Sequence, residues 1–96
     1  MSVDFEWDGV KADTNVKKHR VDFDEALTVF ADSLARILDD PDHSIEERRE
    51  IIVGHSVKRR LLIVGFTERD GRVRIFNART AKKRERHDYE EGTTTV

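Results

Sequence analysis

The sequence predicts an α+β domain built on a curved antiparallel sheet, with two helices before the hairpins and one after them, in the order β-α-α-β-β-β-β-α. Three observations predict it. Ile51 to His55, Leu61 to Thr67 and Val73 to Ala78 are apolar or alternating runs joined by the short links Ser56 to Arg60 and Glu68 to Arg72, and the second link contains the hairpin dipeptide Asp70-Gly71. Phe23, Ala26, Leu27 and Phe30 recur at helical spacing. Residues 80 to 90 are mostly charged and carry Ala81, Glu85 and Tyr89 at i, i+4 and i+8, one face of a closing helix.

The elements follow in chain order. Val3, Phe5 and Trp7 alternate with Asp4 and Glu6, the period of a half-buried strand. Asp8 offers an acceptor for a helix start, and residues 9 to 19 read as a polar helix with a narrow face of Val10, Thr14 and Lys18 that breaks near Arg20-Val21. Asp22 followed three residues later by Glu25 has the spacing of a capping box for the second helix. Leu34 to Leu38 reads as a strand closed by the turn Asp39-Asp40-Pro41-Asp42, because proline and short acidic side chains favour leaving extended structure. The continuous run Leu61-Leu62-Ile63-Val64 marks a central strand covered on both faces. Thr80 is the expected cap of the closing helix, and residues 92 to 96 read as a flexible tail.

With 96 residues, one domain spanning 1 to 96 is expected. The chain is only 36% hydrophobic and 40% charged, yet its apolar residues fall in patterned blocks, which favours a folded domain over disorder. It contains no cysteine, which excludes disulfides and thiolate metal sites and fits a cytoplasmic setting. No signal peptide or membrane-length apolar run is evident, so no membrane partner is expected.

The net charge of -2 conceals an asymmetry. Residues 1 to 56 hold 7 Lys/Arg against 14 Asp/Glu, residues 57 to 87 hold 11 against 3, and residues 88 to 96 add three acidic residues. The basic block has the density needed to follow a phosphate backbone, although solvated outer faces of strands and a helix would show the same composition.

Arg79 stands where a strand end meets a helix start, a place that gathers a guanidinium, backbone N–H groups and a positive dipole end, the ingredients of a phosphate site. Lys82, Lys83, Arg84 and Arg86 surround it in sequence, and Glu85 is placed to pair with Arg79 or Arg84 or to accept a proton. His19 follows Lys17 and Lys18. Cleaving RNA without a metal needs a base, an acid and cations for the phosphorane charge, roles that Glu, His, Lys and Arg can fill. Trp7 and Lys11 line the same groove if the first strand and helix flank the last helix. The bland readings are a helix salt bridge for Glu85, a helix cap for His19 and a core position for Trp7. Asp39, Asp40, Asp42 and His43 match no calcium loop and read as a turn. No metal site and no cofactor are expected, since P-loop, dinucleotide and zinc spacings are all missing from the sequence.

Nearly the whole chain resembles the BrnT toxins, the ribonuclease half of the BrnT/BrnA type II toxin-antitoxin systems. The resemblance is carried by Phe5-Glu6-Trp7-Asp8 with Lys11 and Asn15, by Lys18-His19 with Val21, Phe23, Glu25 and Ala26, and by Ala78-Arg79 with Ala81, Glu85 and Tyr89. It implies a RelE-like toxin fold, metal-independent cleavage of RNA that arrests translation, and neutralisation by a BrnA-like ribbon-helix-helix antitoxin, through which alone operator DNA is reached. On that basis Arg79 and Arg84 would hold the scissile phosphate, and Lys18 and Lys11 would stabilise charge. Glu85 or His19 would act as base or acid, and Tyr89 would position a base or the helix. Trp7, Lys82, Lys83 and Arg86 complete the expected RNA contacts. Two positions depart from the pattern: Arg20 stands where the family usually has glycine after Lys-His, and Asn77 where serine usually precedes Ala-Arg. The alternative is a non-catalytic relative that binds an antitoxin and serves as operon corepressor.

Overall fold

Nine residues of β4 (Leu61–Arg69) form the centre of the molecule, hydrogen-bonded to β3 (Glu50–His55) on one side and β5 (Arg72–Thr80) on the other. The computed structural model describes residues 3–40 and 48–93. Around β4 a five-stranded sheet runs in the order β1-β5-β4-β3-β2, with β1 (Asp4–Glu6) and β2 (Arg36–Asp39) at its edges. The helices are α1 (Gly9–His19), α2 (Phe23–Thr28) continued by a 3-10 turn at Val29–Ala31, and α3 (Lys83–Glu90). The element order is the expected one. Four strands form the antiparallel meander, while β1 pairs parallel with β5 and makes the sheet mixed.

Alternation along β4 assigns the two faces. Leu62, Val64 and Phe66 point into the larger core with Ile52, Val73, Ile75 and Ala78, beneath Val21, Phe23, Ala26 and Val29. Leu61 and Ile63 point the other way and join Ile51, Val53 and the half-buried Ala81 and Tyr89 beside α3. Each fully buried Leu, Ile, Val or Phe contributes about 1.5–3 kcal/mol, so a strand covered on both faces is the most stabilising element of the fold. Edge-to-face rings extend the larger core outward, from Phe66 to Phe30 and on to Phe5, with Trp7 on Phe23.

Several local expectations need correction. Strand β1 stops at Glu6, and Trp7 lies outside it as a packing residue. β2 begins at Arg36 rather than Leu34, because Asp32 and the bend after it hold residues 32–35 in a turn in which Oδ1 of Asp32 accepts from the Leu34 amide. Asp8 and Asp22 both cap their helices, but Glu25 does not reach back to complete a box, since its carboxylate is taken by Arg60 and Ser56. The Asp70-Gly71 hairpin turn has both residues at positive φ, 53° and 78°, as a two-residue loop of right-handed twist requires. Thr80 is the last residue of β5, and Lys82 takes the cap position of α3. Pro41, Asp42 and His43 of the acidic turn, and the last three residues of the expected tail, lie outside the described residues. No helix of the described chain is long and apolar enough to cross a membrane.

Candidate active site

The site is assembled on the free edge of β5. Strand β1 covers only Arg72 to Arg74 of that edge, so the backbone groups beyond are left without a strand partner. Asn15 of α1 supplies one. Its Nδ2 donates to the Ala78 carbonyl at 2.8 Å and to the Val21 carbonyl at 2.9 Å, and its Oδ1 accepts from the Ala78 amide at 3.1 Å. A side-chain amide, which both donates and accepts, thus completes the ladder that a sixth strand would otherwise have completed. This explains why α1 shows no apolar face: Val10 is 75% exposed, and the buried position of the helix is Asn15. The expected face of Val10, Thr14 and Lys18 is therefore not the packing face, since all three are exposed.

Docking at Asn15 fixes what else α1 presents. Lys11, Asn15, Lys18 and His19 are spaced i, i+4, i+7 and i+8 and form one stripe. Lys11 lies over the Phe76 ring and Asn15 sits on Ala78, so α1 and β5 run in the same sense. One further turn of helix, about 5.4 Å, matches roughly two strand residues. Lys18 and His19 accordingly stand level with Thr80, at the end of β5 where α3 begins. Both are exposed, and among the described residues no hydrogen bond joins either to Arg79 or Glu85. The helix ends at Arg20, which adopts the left-handed conformation (φ 57°, ψ 34°) and donates its amide to the Val16 carbonyl.

At that end of β5, Arg79 meets Glu85 end-on, through both terminal nitrogens. Nη1 donates to Oε1 at 2.7 Å and Nη2 to Oε2 at 2.8 Å, a bidentate fork between a guanidinium and a carboxylate. Oε1 of Glu85 also accepts from the Lys82 amide at 2.8 Å, at the N-terminus of α3. The anion position formed by the arginine and the helix start is therefore occupied by the chain's own carboxylate. Arg79 first, then the Lys82 amide, hold the Glu85 carboxyl below the ordinary glutamate value, against the opposing effect of burial. Glu85 in turn holds the Arg79 guanidinium above its ordinary value, so its charge is secure. The Ala81 amide donates to the Leu61 carbonyl at 2.8 Å and ties the strand-to-helix link to the sheet.

The other predicted residues divide by position. Lys82, Lys83, Arg84 and Arg86 are exposed on α3 around the Arg79–Glu85 pair, and Glu85 pairs with Arg79 rather than Arg84. Tyr89 anchors the far end of α3: its hydroxyl donates to the Leu34 carbonyl at 3.1 Å, and its ring packs edge-on against His55 and beside Arg36. Trp7 packs edge-on against Phe23, beside a groove lined by Asp8, Asp13, Asp22 and Asp24. Asn15, Phe76 and Arg49 were not picked out as site residues. Phe76 is the residue skipped by a bulge, since Gly65 opposes Asn77 and Phe66 opposes Ile75. The adjacent apolar residues Ile75-Phe76, which break the alternation of β5, were the readable signal for it. A second ion pair, Glu25 with Arg60, is structural. Glu25 is 3% exposed, accepts from Arg60 and Ser56, and is held below its ordinary value mainly by Arg60, which also donates to the Arg20 carbonyl. Among the described residues no group of three His, Asp or Glu is placed to hold a metal ion.

A family model described as the BrnT ribonuclease toxin of type II toxin-antitoxin systems matches residues 7–85. No curated protein sequence matches the chain. The crystal structure of the Brucella abortus ribonuclease toxin BrnT superposes with a TM-score of 0.67 at 19% identity, covering 85% of this chain and 100% of that one, a likeness of fold. The matched stretch runs from Trp7 through the Asn15 anchor to Glu85, taking in both halves of the ion pair, and with it the chain belongs to the BrnT ribonuclease toxin family of type II toxin-antitoxin systems.

Proposed function

We propose that the protein is an endoribonuclease that cuts RNA without a metal ion, arrests translation and growth, and is neutralised by a ribbon-helix-helix antitoxin. The observation that carries this reading is the Arg79–Glu85 fork at the N-terminus of α3. An incoming phosphate competes with Glu85 for the guanidinium and the Lys82 amide. Once it takes one of them, the freed carboxylate oxygen loses the bonds that depress its pKa and becomes a better base. Glu85 then accepts the 2'-hydroxyl proton as O2' bonds to phosphorus. His19 supplies a proton to the departing 5' oxygen, leaving a 2',3'-cyclic phosphate and a 5'-hydroxyl. Arg79, Arg84, Lys18 and Lys11 stabilise the phosphorane charge. Tyr89 keeps α3 in place, and Lys82, Lys83 and Arg86 hold flanking phosphates. As a family member of type II systems the protein has an antitoxin partner. In this reading operator DNA is contacted through that partner.

One observation favours the corepressor reading: the anion position is already filled by Glu85. Induced expression separates the two. The ribonuclease reading expects growth arrest by the wild type and none by a folded Arg79→Ala variant, whereas equal growth of both strains supports a non-catalytic partner of the antitoxin.

A further inference from the structure

The bulge in β5 leaves Phe76 without a cross-strand partner and turns its ring into a meeting point for two cations from separate elements. The Arg49 guanidinium lies 4.1 Å from the ring centroid and the Lys11 ammonium 5.5 Å from it. A guanidinium at that distance is held against the ring, which fixes the charge in place while leaving it charged. Beside the ring, the exposed Asn77 lies over Gly65, so close that a Cβ at Gly65 would come within 2.8 Å of its Oδ1. Opposed residues of an antiparallel pair share a face, so Asn77 stands on the same face as Arg79, which opposes Ile63. Phe76 and Arg79 are three residues apart, about 10 Å along the strand.

We propose that Phe76, Arg49 and Lys11 form a second nucleotide subsite, which takes a base and phosphate of single-stranded RNA flanking the bond that is cut. The proposal rests on the ribonuclease reading above and extends it to Phe76 and Arg49, which that reading does not use, with Lys11 shared between the two. A base stacks on the Phe76–Arg49 pair, as bases do on aromatic rings and guanidinium planes, and Lys11 neutralises the adjoining phosphate. Bulges commonly re-aim side chains next to active sites, and this one sets an aromatic ring about 10 Å along the strand from Arg79. The subsite is continuous with the α1 stripe, because Lys11 belongs to the same face as Lys18 and His19.

The test uses the full chain with a 2'-O-methyl oligoribonucleotide, which cannot be cut, and a cleavable RNA of the same sequence. Phe76→Ala is expected to weaken binding of the uncut oligonucleotide roughly 10-fold, while Phe76→Trp stays near the wild type because it keeps an aromatic face. Arg49→Ala weakens binding similarly, and Lys11→Ala lowers the salt slope by about 0.7. With the cleavable RNA, the loss in Phe76→Ala falls on KM more than on kcat. The proposal is overturned if the wild type binds and cuts RNA while Phe76→Ala and Arg49→Ala match it, or if Phe76→Trp is as weak as Phe76→Ala. If the wild type itself binds no RNA, the ribonuclease reading and the subsite fall together.

Discussion

Arg79 grips Glu85 through both terminal nitrogens, at 2.7 and 2.8 Å, and the same carboxylate accepts the Lys82 amide that opens α3. Two donors from different elements thus converge on one anion. The arrangement keeps the guanidinium fixed and charged before any substrate arrives, the preorganisation that electrostatic stabilisation of a transition state requires. On the proposed mechanism Glu85 has two states, masked when bonded to Arg79 and basic when a phosphate has taken its place.

Removing the guanidinium and neutralising the carboxylate should have different signatures. Arg79→Ala is expected to lower the single-turnover cleavage rate by about 10²–10³-fold, the usual loss when a charge-stabilising donor is removed. Glu85→Gln keeps the shape and an acceptor for the Lys82 amide but loses the ion pair with Arg79. It should still fold with a lowered melting temperature, while cleavage measured well below that temperature falls by about 10²-fold or more. Retention of wild-type cleavage by Glu85→Gln would assign that carboxylate to positioning alone.

Asn15 should matter for stability far beyond its size. Asn15→Ala strands the Ala78 amide and carbonyl on the buried edge of β5 and is expected to cost about 2–4 kcal/mol in urea unfolding. Asn15→Asp keeps the acceptor for the Ala78 amide but sets a carboxylate against the carbonyls of Ala78 and Val21, and should be at least as damaging.

Arg20 holds a backbone conformation that glycine adopts without penalty, with φ at 57°. Its carbonyl accepts from Arg60 and its amide donates to Val16, and both groups survive in glycine. Arg20→Gly is therefore expected to stabilise the protein by about 1 kcal/mol, a rise of roughly 4–8 °C in Tm for a domain of this size. No gain in Tm would show that the arginine side chain offsets its strain elsewhere.

Stability should fall on the acid side. Glu85 and Glu25 both have folded pKa values below their ordinary 4.5, so the native state favours their charged forms. Their contribution is fully present above that value and is lost as the pH drops through the lower folded values. Chemical unfolding from neutral pH down to about pH 3 should show a declining limb that is shallower in Glu25→Gln, which also starts from a lower neutral stability.

The strand pattern, the hairpin at Asp70-Gly71 and the two aspartate caps were legible because each rests on local chemistry: alternation, positive φ, or an acceptor beside free amides. The central place of β4 was legible for the same reason, as an uninterrupted apolar run. The parallel pairing of β1 was not, since nothing local tells a three-residue strand which neighbour it will take. The packing face of α1 was misread because the helix docks through a polar residue whose partners, Ala78 and Val21, lie outside the helix. Arg79 and Glu85 were both singled out from the strand-to-helix junction, and their pairing was one of two options that six residues of spacing left open. Phe76 carried a visible break in alternation, but the arrival of Arg49 from before β3 depends on tertiary structure alone.

The central claim is that Arg79, held by Glu85, makes this fold cut RNA without a metal. The most direct test is to incubate purified protein with a defined RNA in EDTA, beside a folded Arg79→Ala variant, and to analyse the fragment ends. The account predicts fragments ending in 2',3'-cyclic phosphate from the wild type and intact RNA with the variant. Intact RNA with both proteins in EDTA, together with cleavage restored by a divalent ion, would contradict it, as would equal cleavage by Arg79→Ala.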